Sequence, residues 1–430
     1  MKSRIAIVGA GISGLTCAYL LHEQHDVVVF ESEAWIGGHT HTVDVSDADG
    51  RHAVDTGFIV FNRPCYPNFV RLLERLGVAK QESEMSFSVH DERSGIEWNG
   101  LDLRSIFVQK RNLLRPSFLG MLRDVVRFGR DAKALAGQAA GDASELPLGV
   151  FLERQRYGRA FRELYLLPMG AAIWSTSLRD MLDFPARFFV RFFANHGMLE
   201  LNERPQWYVI QGGSRRYVEA LIAPFQDRIR TATPVAAITR SGASVGVRTR
   251  DGDVEHFDRV ILASHADQSL AMLEDKDALE CEVLGALPFT VNRTTLHEGR
   301  ELLPQRRRAV ASWNYRIDAE SYGDAARPIR LCYHMNTLQS LQTRKDYCVS
   351  LNSDDRLRAI EEARGERRVL GSWDYAHPRF TPAGVAAQAR WGEIDGRRNT
   401  HFAGAYWRNG FHEDGVVSAL RVCAKFGVAL

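Results

Sequence analysis

Three glycines and one carboxylate carry the first chemical signal. In Gly9-Ala10-Gly11-Ile12-Ser13-Gly14 the glycines recur as GxGxxG, and Glu31 stands seventeen residues beyond Gly14. Gly9 permits a tight turn, Gly11 lets backbone N–H groups approach a pyrophosphate, and Gly14 lets a helix pack closely on a strand. A helix N-terminus at this point favours phosphate charge by about 0.3–1 kcal/mol. Glu31 is placed to accept hydrogen bonds from ribose hydroxyls. A second turn of similar character lies near the other end, in HFAGAYWRNGFHEDGVVSAL over residues 401–420. There an apolar run stops at Gly404, an aromatic turn follows, and Glu413, Asp414 and Gly415 open a helix.

These residues need elements to hold them. Residues 4–8, RIAIV, form a short apolar run suited to a buried parallel strand. A helical segment runs from the glycine turn to about Gln24, and a second strand, Val27–Phe30, ends at Glu31. Strand, turn, helix, strand and acid make a complete dinucleotide-binding unit, which by itself leaves NAD and FAD unseparated. Downstream, Gln211-Gly212-Gly213-Ser214 leads into a helix through about Ile222, and Thr233-Pro234-Val235 follows a short strand. Residues 243–263 read as a meander with an Asp251-Gly252 turn and a buried strand over 259–263. Residues 86–98 read as a hairpin, 101–200 as mostly helical, and 291–296, 309–317, 329–335 and 346–351 as antiparallel strands.

Composition bounds the function. A chain of 430 residues has room for two domains, and 45% hydrophobic with 25% charged residues is ordinary for a globular protein. A net charge of +2 supplies no basic field for nucleic acid. No apolar run approaches the roughly 18–20 residues of a membrane span. The first strand begins at residue 4, ahead of which a cleavable signal peptide has no room, so a cytoplasmic location is expected. The six cysteines are scattered without a CxxC pair, and the fourteen histidines show no HExxH spacing. The expectation is therefore no disulfide framework and no metal, with His39 and His41 structural.

The remaining motifs point to a family. Ala34-Trp35-Ile36-Gly37-Gly38-His39-Thr40 follows the acid, Asp55-Thr56-Gly57-Phe58 comes next, and Phe402-Ala403-Gly404 through Glu413-Asp414-Gly415 closes the set. Together they resemble the flavin-containing amine oxidase and phytoene desaturase superfamily. The resemblance implies an α/β protein with a discontinuous Rossmann-like FAD-binding domain (1–75, 206–280 and 391–430). A mixed α+β substrate domain (76–205 and 281–390) would carry an antiparallel sheet and a helical roof. FAD is long enough to need both turns. The implied cofactor contacts are Gly9, Gly11, Ile12, Ser13, Gly14, Glu31, Gly37, Gly38, His39, Thr40, Thr56, Gly57, Phe58, Val235, Ala263, Gly404, Ala405, Asp414, Gly415 and Val416. No cysteine lies within 401–416, so the FAD is expected to be non-covalent, and Cys423 sits further along the helix. Trp407, Phe411, His412, His334 and His377 are the candidates for the flavin-facing wall.

A narrower likeness concerns substrate. Gly37–Thr42, Thr56–Asn62 and Phe411–Gly415 resemble the FAD-dependent oxidase-like domain associated with cyclopropane fatty acid synthase. That implies hydride transfer between a substrate carbon and flavin N5 on an unsaturated or modified acyl chain or phospholipid, as desaturation or isomerisation. It also raises a lipid methyltransferase as partner. The alternatives are oxidation of a small amine and a non-catalytic flavin-binding scaffold for that methyltransferase. Two stretches interleave cations with apolar groups: Arg104 to Arg130 with Leu113, Leu114 and Leu119, and PARFFVRFF at 185–193. They read either as a surface resting on anionic lipid at the inner membrane face or as helices with one face in the core.

Overall fold

The computed structural model describes residues 2–137, 146–199, 205–319 and 324–430. At its centre is a five-stranded parallel sheet. Its order is Ile229–Arg230, Asp26–Phe30, Arg4–Val8, Arg259–Leu262 and Thr400–Phe402. Ile5 faces Val27 on one side and Arg259 on the other, and Val8 faces Phe30 and Leu262. Parallel strands with both faces covered must be apolar throughout, and Ile5, Ala6, Ile7, Val27, Val29, Val260 and Ile261 are fully buried. The helix Ile12–Leu21 crosses between the first two strands. It stops short of Gln24, whose N–H bonds the Leu21 carbonyl three residues back in a tighter turn than an α-helix makes.

One hydrophobic core covers this sheet and draws residues from three separated stretches, including Leu15, Phe69, Tyr217, Leu284, Phe402 and Val416. The meander is Val235–Ser241, Ser244–Thr249 and Val254–Phe257 in antiparallel register; it starts ahead of the 243–263 range expected, and the buried strand Arg259–Leu262 joins the parallel sheet instead.

A seven-stranded sheet lies beyond it, in the order Val369–Pro378, Phe289–Glu298, Tyr347–Leu351, Arg330–His334, Trp313–Ile317, Phe87–Asp91, Ile96–Asn99. Every neighbour is antiparallel except Trp313–Ile317 on Phe87–Asp91. Helices such as Pro116–Ala136 and Ala186–Asn195 pack with this sheet around an aromatic core of Phe118, Phe161, Trp174, Phe184, Phe189 and Phe193. Two features differ from the sequence reading. Residues 307–309 form a short 3-10 turn, so the strand expected from 309 begins at Trp313. The ten-residue strand Val369–Pro378 was not anticipated, because at the sheet edge its mostly half-buried residues show no clean alternation.

Candidate active site

The first turn is built from glycines that do different things. Gly9 has φ +105°, donates its N–H to the Phe30 carbonyl at 2.8 Å, and leaves only 2.9 Å between an added Cβ and the Ala263 carbonyl oxygen. A Cβ on Gly14 would lie 1.9 Å from the Gly9 carbonyl oxygen, so helix and turn touch there. Gly11 is different: its backbone is extended, a Cβ there would meet nothing within 4 Å, and no side chain caps the helix it precedes. Its open face lies beside uncapped helical N–H donors. The Gly37-Gly38 pair docks against this turn, Gly37 donating to the Ala10 carbonyl at 2.9 Å and Gly38 standing against the Gly11 Cα.

Glu31 is buried and fixed. One carboxylate oxygen accepts the Ala10 N–H at 2.8 Å, and the other accepts the Glu33 N–H at 3.0 Å. Thr233 donates to the Glu31 carbonyl at 2.8 Å, which brings the segment ending at Val235 beside the acid. Ala263 donates to the Val8 carbonyl at 2.8 Å at the carboxyl end of its strand.

The second turn meets the first. A Cβ on Gly415 would lie 2.7 Å from Ile12 Cγ2 and 3.0 Å from Ser13 Oγ, so the helices Ile12–Leu21 and His412–Cys423 abut at their N-terminal ends. Gly404 donates to Ser418 Oγ at 3.0 Å, and a Cβ on Gly415 would lie 3.9 Å from that of Ala405, in ordinary van der Waals contact. Asp414 accepts the Phe411 N–H at 3.0 Å, and burial pushes its carboxyl up to about 6. Val416 points into the first core. His412 is stacked on Phe58 at 3.5 Å, and its Nε2 lies 2.9 Å from Thr40 Oγ1 and 3.0 Å from Tyr217 OH. Burial holds this imidazole well below its usual pKa. Phe58 in turn donates its N–H to the His39 carbonyl at 2.8 Å, and Gly57 approaches the same oxygen too closely for a side chain. Thr56 Oγ1 shares Tyr375 OH at 2.8 Å with His41 Nδ1, which lies 3.0 Å from that hydroxyl.

Around His39 a group of aromatic polar side chains collects. Its ring lies 5.2 Å from those of Tyr375 and His377 and 6.1 Å from that of His265. All three imidazoles keep some accessible surface yet are densely surrounded, as in the wall of a recess. Burial lowers His39 and His265 to about 4 and His377 to about 3, with neighbouring imidazoles adding to the effect. Burial likewise raises Asp55 to about 6, although Thr42, Ser214 and Gln339 donate to it.

The wall candidates divide. Phe411 packs on Phe192 at 5.0 Å and on Trp174 at 6.4 Å, bridging the two large cores. Trp407 is buried in the first core against Tyr406. His377 reaches the His39 group and lies 3.2 Å from Asn292 Nδ2. His334 does not join them. Its ring is held by Thr337 and Asp346, and it lines a separate cavity of about 530 Å³ with Glu84, Asn99, Asp102 and Arg307. The alternation of its strand carries the Tyr333 side chain, not that of His334, into the aromatic core. Sequence reasoning missed Tyr217, His265 and Tyr375. Only His265 left a signal, since it follows the carboxyl end of a parallel strand, where such folds place ligands.

Two helix N-termini meeting over an open glycine face, with a fixed carboxylate beyond the first turn, fit a long dinucleotide: pyrophosphate at Gly11, ribose at Glu31. This is the frame of an FAD-binding protein of the doubly wound class. The family described as flavin containing amine oxidoreductase matches residues 12–289. The chain belongs to this family of FAD-dependent oxidoreductases, and FAD is its cofactor. A Mycobacterium tuberculosis protein named for flavin-containing monoamine oxidase activity is 27% identical over 261 residues, covering 58% of this chain and 54% of that one. The match thus spans about half the length of that relative. Zeta-carotene desaturase of Solanum lycopersicum is 39% identical over 80 residues, 18% of this chain and 13% of that protein. The crystal structure of a fatty acid isomerase from P. acnes that produces CLA superposes with TM-score 0.69 at 17% identity, covering 99% of this chain and 98% of that one. Its likeness is one of fold. Among the described residues no helix is long and apolar enough to cross a membrane.

Proposed function

We propose that this chain oxidises or isomerises an unsaturated acyl chain, free or in phospholipid. Bound FAD supplies a hydride acceptor and donor at its N5 atom. The Gly9–Gly14 turn, Gly37–Thr40, Thr56–Phe58, Val235, Ala263 and the 404–416 turn would hold it, and Phe411 and His377 would stand on the substrate side. The observation that carries the reading is the electrical neutrality of that region. Burial drives His39, His265, His377 and His412 to their neutral forms and pushes Asp55 and Asp414 toward theirs. Surroundings that disfavour charge of either sign, beside an aromatic wall of Phe411, Trp174 and Phe192, suit an apolar chain better than an alkylammonium ion. An isolated saturated C–H is a poor hydride donor, so the reacting carbon sits next to an existing double bond that stabilises the developing positive charge.

Oxidation of a small amine is the second reading, favoured by the 27% identity to the monoamine oxidase-named relative. Anaerobic visible absorption of the purified flavoprotein separates the two. Bleaching by unsaturated phospholipid vesicles and not by polyamines is the expected result for oxidation, whereas isomerisation, which returns the hydride to the chain, leaves the flavin band unchanged and shows as a moved double bond in the recovered acyl chains. Bleaching by amines alone would replace the acyl-chain reading with the second one.

A further inference from the structure

Three side chains on three neighbouring strands of the seven-stranded sheet converge away from the cofactor motifs. His297 comes from Phe289–Glu298, Cys348 from Tyr347–Leu351 and Cys332 from Arg330–His334. His297 lies directly opposite Cys348, while Cys332 lies opposite Ser350, two residues along. Strand side chains alternate with period two, so all four share one face. Each is at most 3% exposed. One ring nitrogen and the two sulfurs lie within 4.8 Å of one another, and Leu302, Leu303 and Leu357 close an apolar shell around them.

We propose that His297, Cys332 and Cys348 form a structural site for a thiophilic divalent cation of the zinc type. Oxidation to a disulfide is the competing use of two close thiols, and the register opposes it. Diagonal cross-strand residues have Cα atoms roughly 7–8 Å apart, and a disulfide tolerates no more than about 7 Å. The histidine is already oriented as a ligand. Its Nδ1 faces the Glu298 carbonyl at 3.4 Å, an acceptor that suits a proton on Nδ1 and leaves Nε2, now paired with a serine hydroxyl, to turn its lone pair toward an ion. Nε2 lies 2.8 Å from Ser350 Oγ, which supplies the fourth position directly or through a water molecule. Donor atoms around a tetrahedral zinc lie roughly 3.5 Å apart, so the present cluster needs to contract by about an ångström.

Charge selects the ion. Two thiolates, a neutral imidazole and a dication sum to zero, which an apolar shell tolerates, whereas a monovalent cation would leave a buried net negative charge. Binding forms two metal–sulfur bonds and one metal–nitrogen bond and releases the two thiol protons, so affinity falls as pH falls. The ion ties three adjacent strands together on the sheet face covered by the helix Asp354–Arg364, which carries Leu357. The opposite face, with Leu296 and Val349, belongs to another core. Metal occupancy is therefore separable from flavin content.

The test is the zinc content of the full-length flavoprotein, expressed with added zinc and desalted. About one zinc per chain is expected, falling at least tenfold in Cys332→Ala and Cys348→Ala and unchanged in Cys281→Ala, at equal flavin content. Should the variants fold poorly, cobalt(II) added to metal-free wild-type protein gives an independent readout. Thiolate-to-cobalt charge transfer and d–d bands to the red of the flavin absorption support the site. Wild-type protein that binds neither ion overturns the proposal, as does a Cys332–Cys348 disulfide in its peptide map or zinc retained in full by both variants.

Discussion

At the scale of single residues, the glycines of one turn should respond to mutation in opposite ways. Gly9 is needed by the fold: its φ of +105° and the Ala263 carbonyl 2.9 Å from a would-be Cβ leave no room for a side chain. Gly9→Ala is expected to cost about 2 kcal/mol or more of folding stability. Gly11 has a backbone that suits any residue and an open Cβ position, so we propose that the ligand and not the fold requires glycine there. Gly11→Ala should leave denaturant unfolding of the flavin-free protein nearly unchanged. It should weaken FAD binding at least tenfold, about 1.4 kcal/mol, by flavin titration. Equal losses of stability in the two variants would mean that Gly11 is packed and not a cradle. These positions were legible in the sequence because the chemistry demands glycine there. Tyr375 and Tyr217 were not, because each reaches the site from a distant strand or helix and nothing in its own neighbourhood marks it, while His265 left only its place just after the carboxyl end of the strand Arg259–Leu262. The same reason hid His297, Cys332 and Cys348, whose proximity is created by sheet register and not by spacing along the chain.

At the scale of elements, two stretches of the same composition have opposite fates. In Ala186–Asn195 the aromatics Phe189, Phe192 and Phe193 are buried, so this basic-aromatic helix is a core helix. The other stretch turns its apolar groups outward. Leu103 is 73% exposed, Leu114 86% and Val126 59%, with Leu101, Leu113 and Leu119 also exposed. They stand among exposed Arg104, Lys110, Arg111 and Arg123, while Phe118 and Met121 of the same segment are buried. Composition alone could not separate these cases, since the difference lies in which face each helix finds covered. A peripheral contact with anionic lipid through the exposed strip belongs with the acyl-chain proposal. Each cation near an anionic surface contributes about 1 kcal/mol, so Lys110→Glu with Arg111→Glu should lower vesicle binding more than tenfold at low salt. Leu103→Ser with Leu114→Ser should lower it as well, without the salt dependence. Unchanged sedimentation with anionic vesicles in both variants would mean that the strip is not the contact.

At the scale of the whole molecule, the meeting of two turns far apart in the chain was readable because both are glycine-rich and open helices, Ile12–Leu21 and His412–Cys423, whose N-terminal ends abut. The cost of enclosing so many titratable groups was not, since it depends on burial. His39, His196 and His265 are lowered to about 4 and His377 to about 3, and His412 lies well below the usual 6.5, in each case chiefly through burial. As pH falls from 6.5 toward 4, the unfolded chain binds protons on these imidazoles that the folded chain refuses, so stability is lost. Asp55 and Asp414, raised to about 6, act the other way: the folded chain holds their protons up to pH 6, and their contribution declines as pH rises from 4. Five imidazoles outweigh two carboxylates. His25, His41 and His90, also lowered by burial, act with them and Asp318, raised by burial, acts against them, so near pH 5 unfolding takes up protons on balance and stability falls toward acid. Urea unfolding at pH 5, 6 and 7 should therefore show a falling midpoint toward acid. Asp55→Asn, which removes one opposing term, should steepen the fall. A midpoint that is flat or higher at pH 5 would show that the carboxylates dominate. The neutral histidine wall on which the apolar-substrate proposal rests would fall with that result.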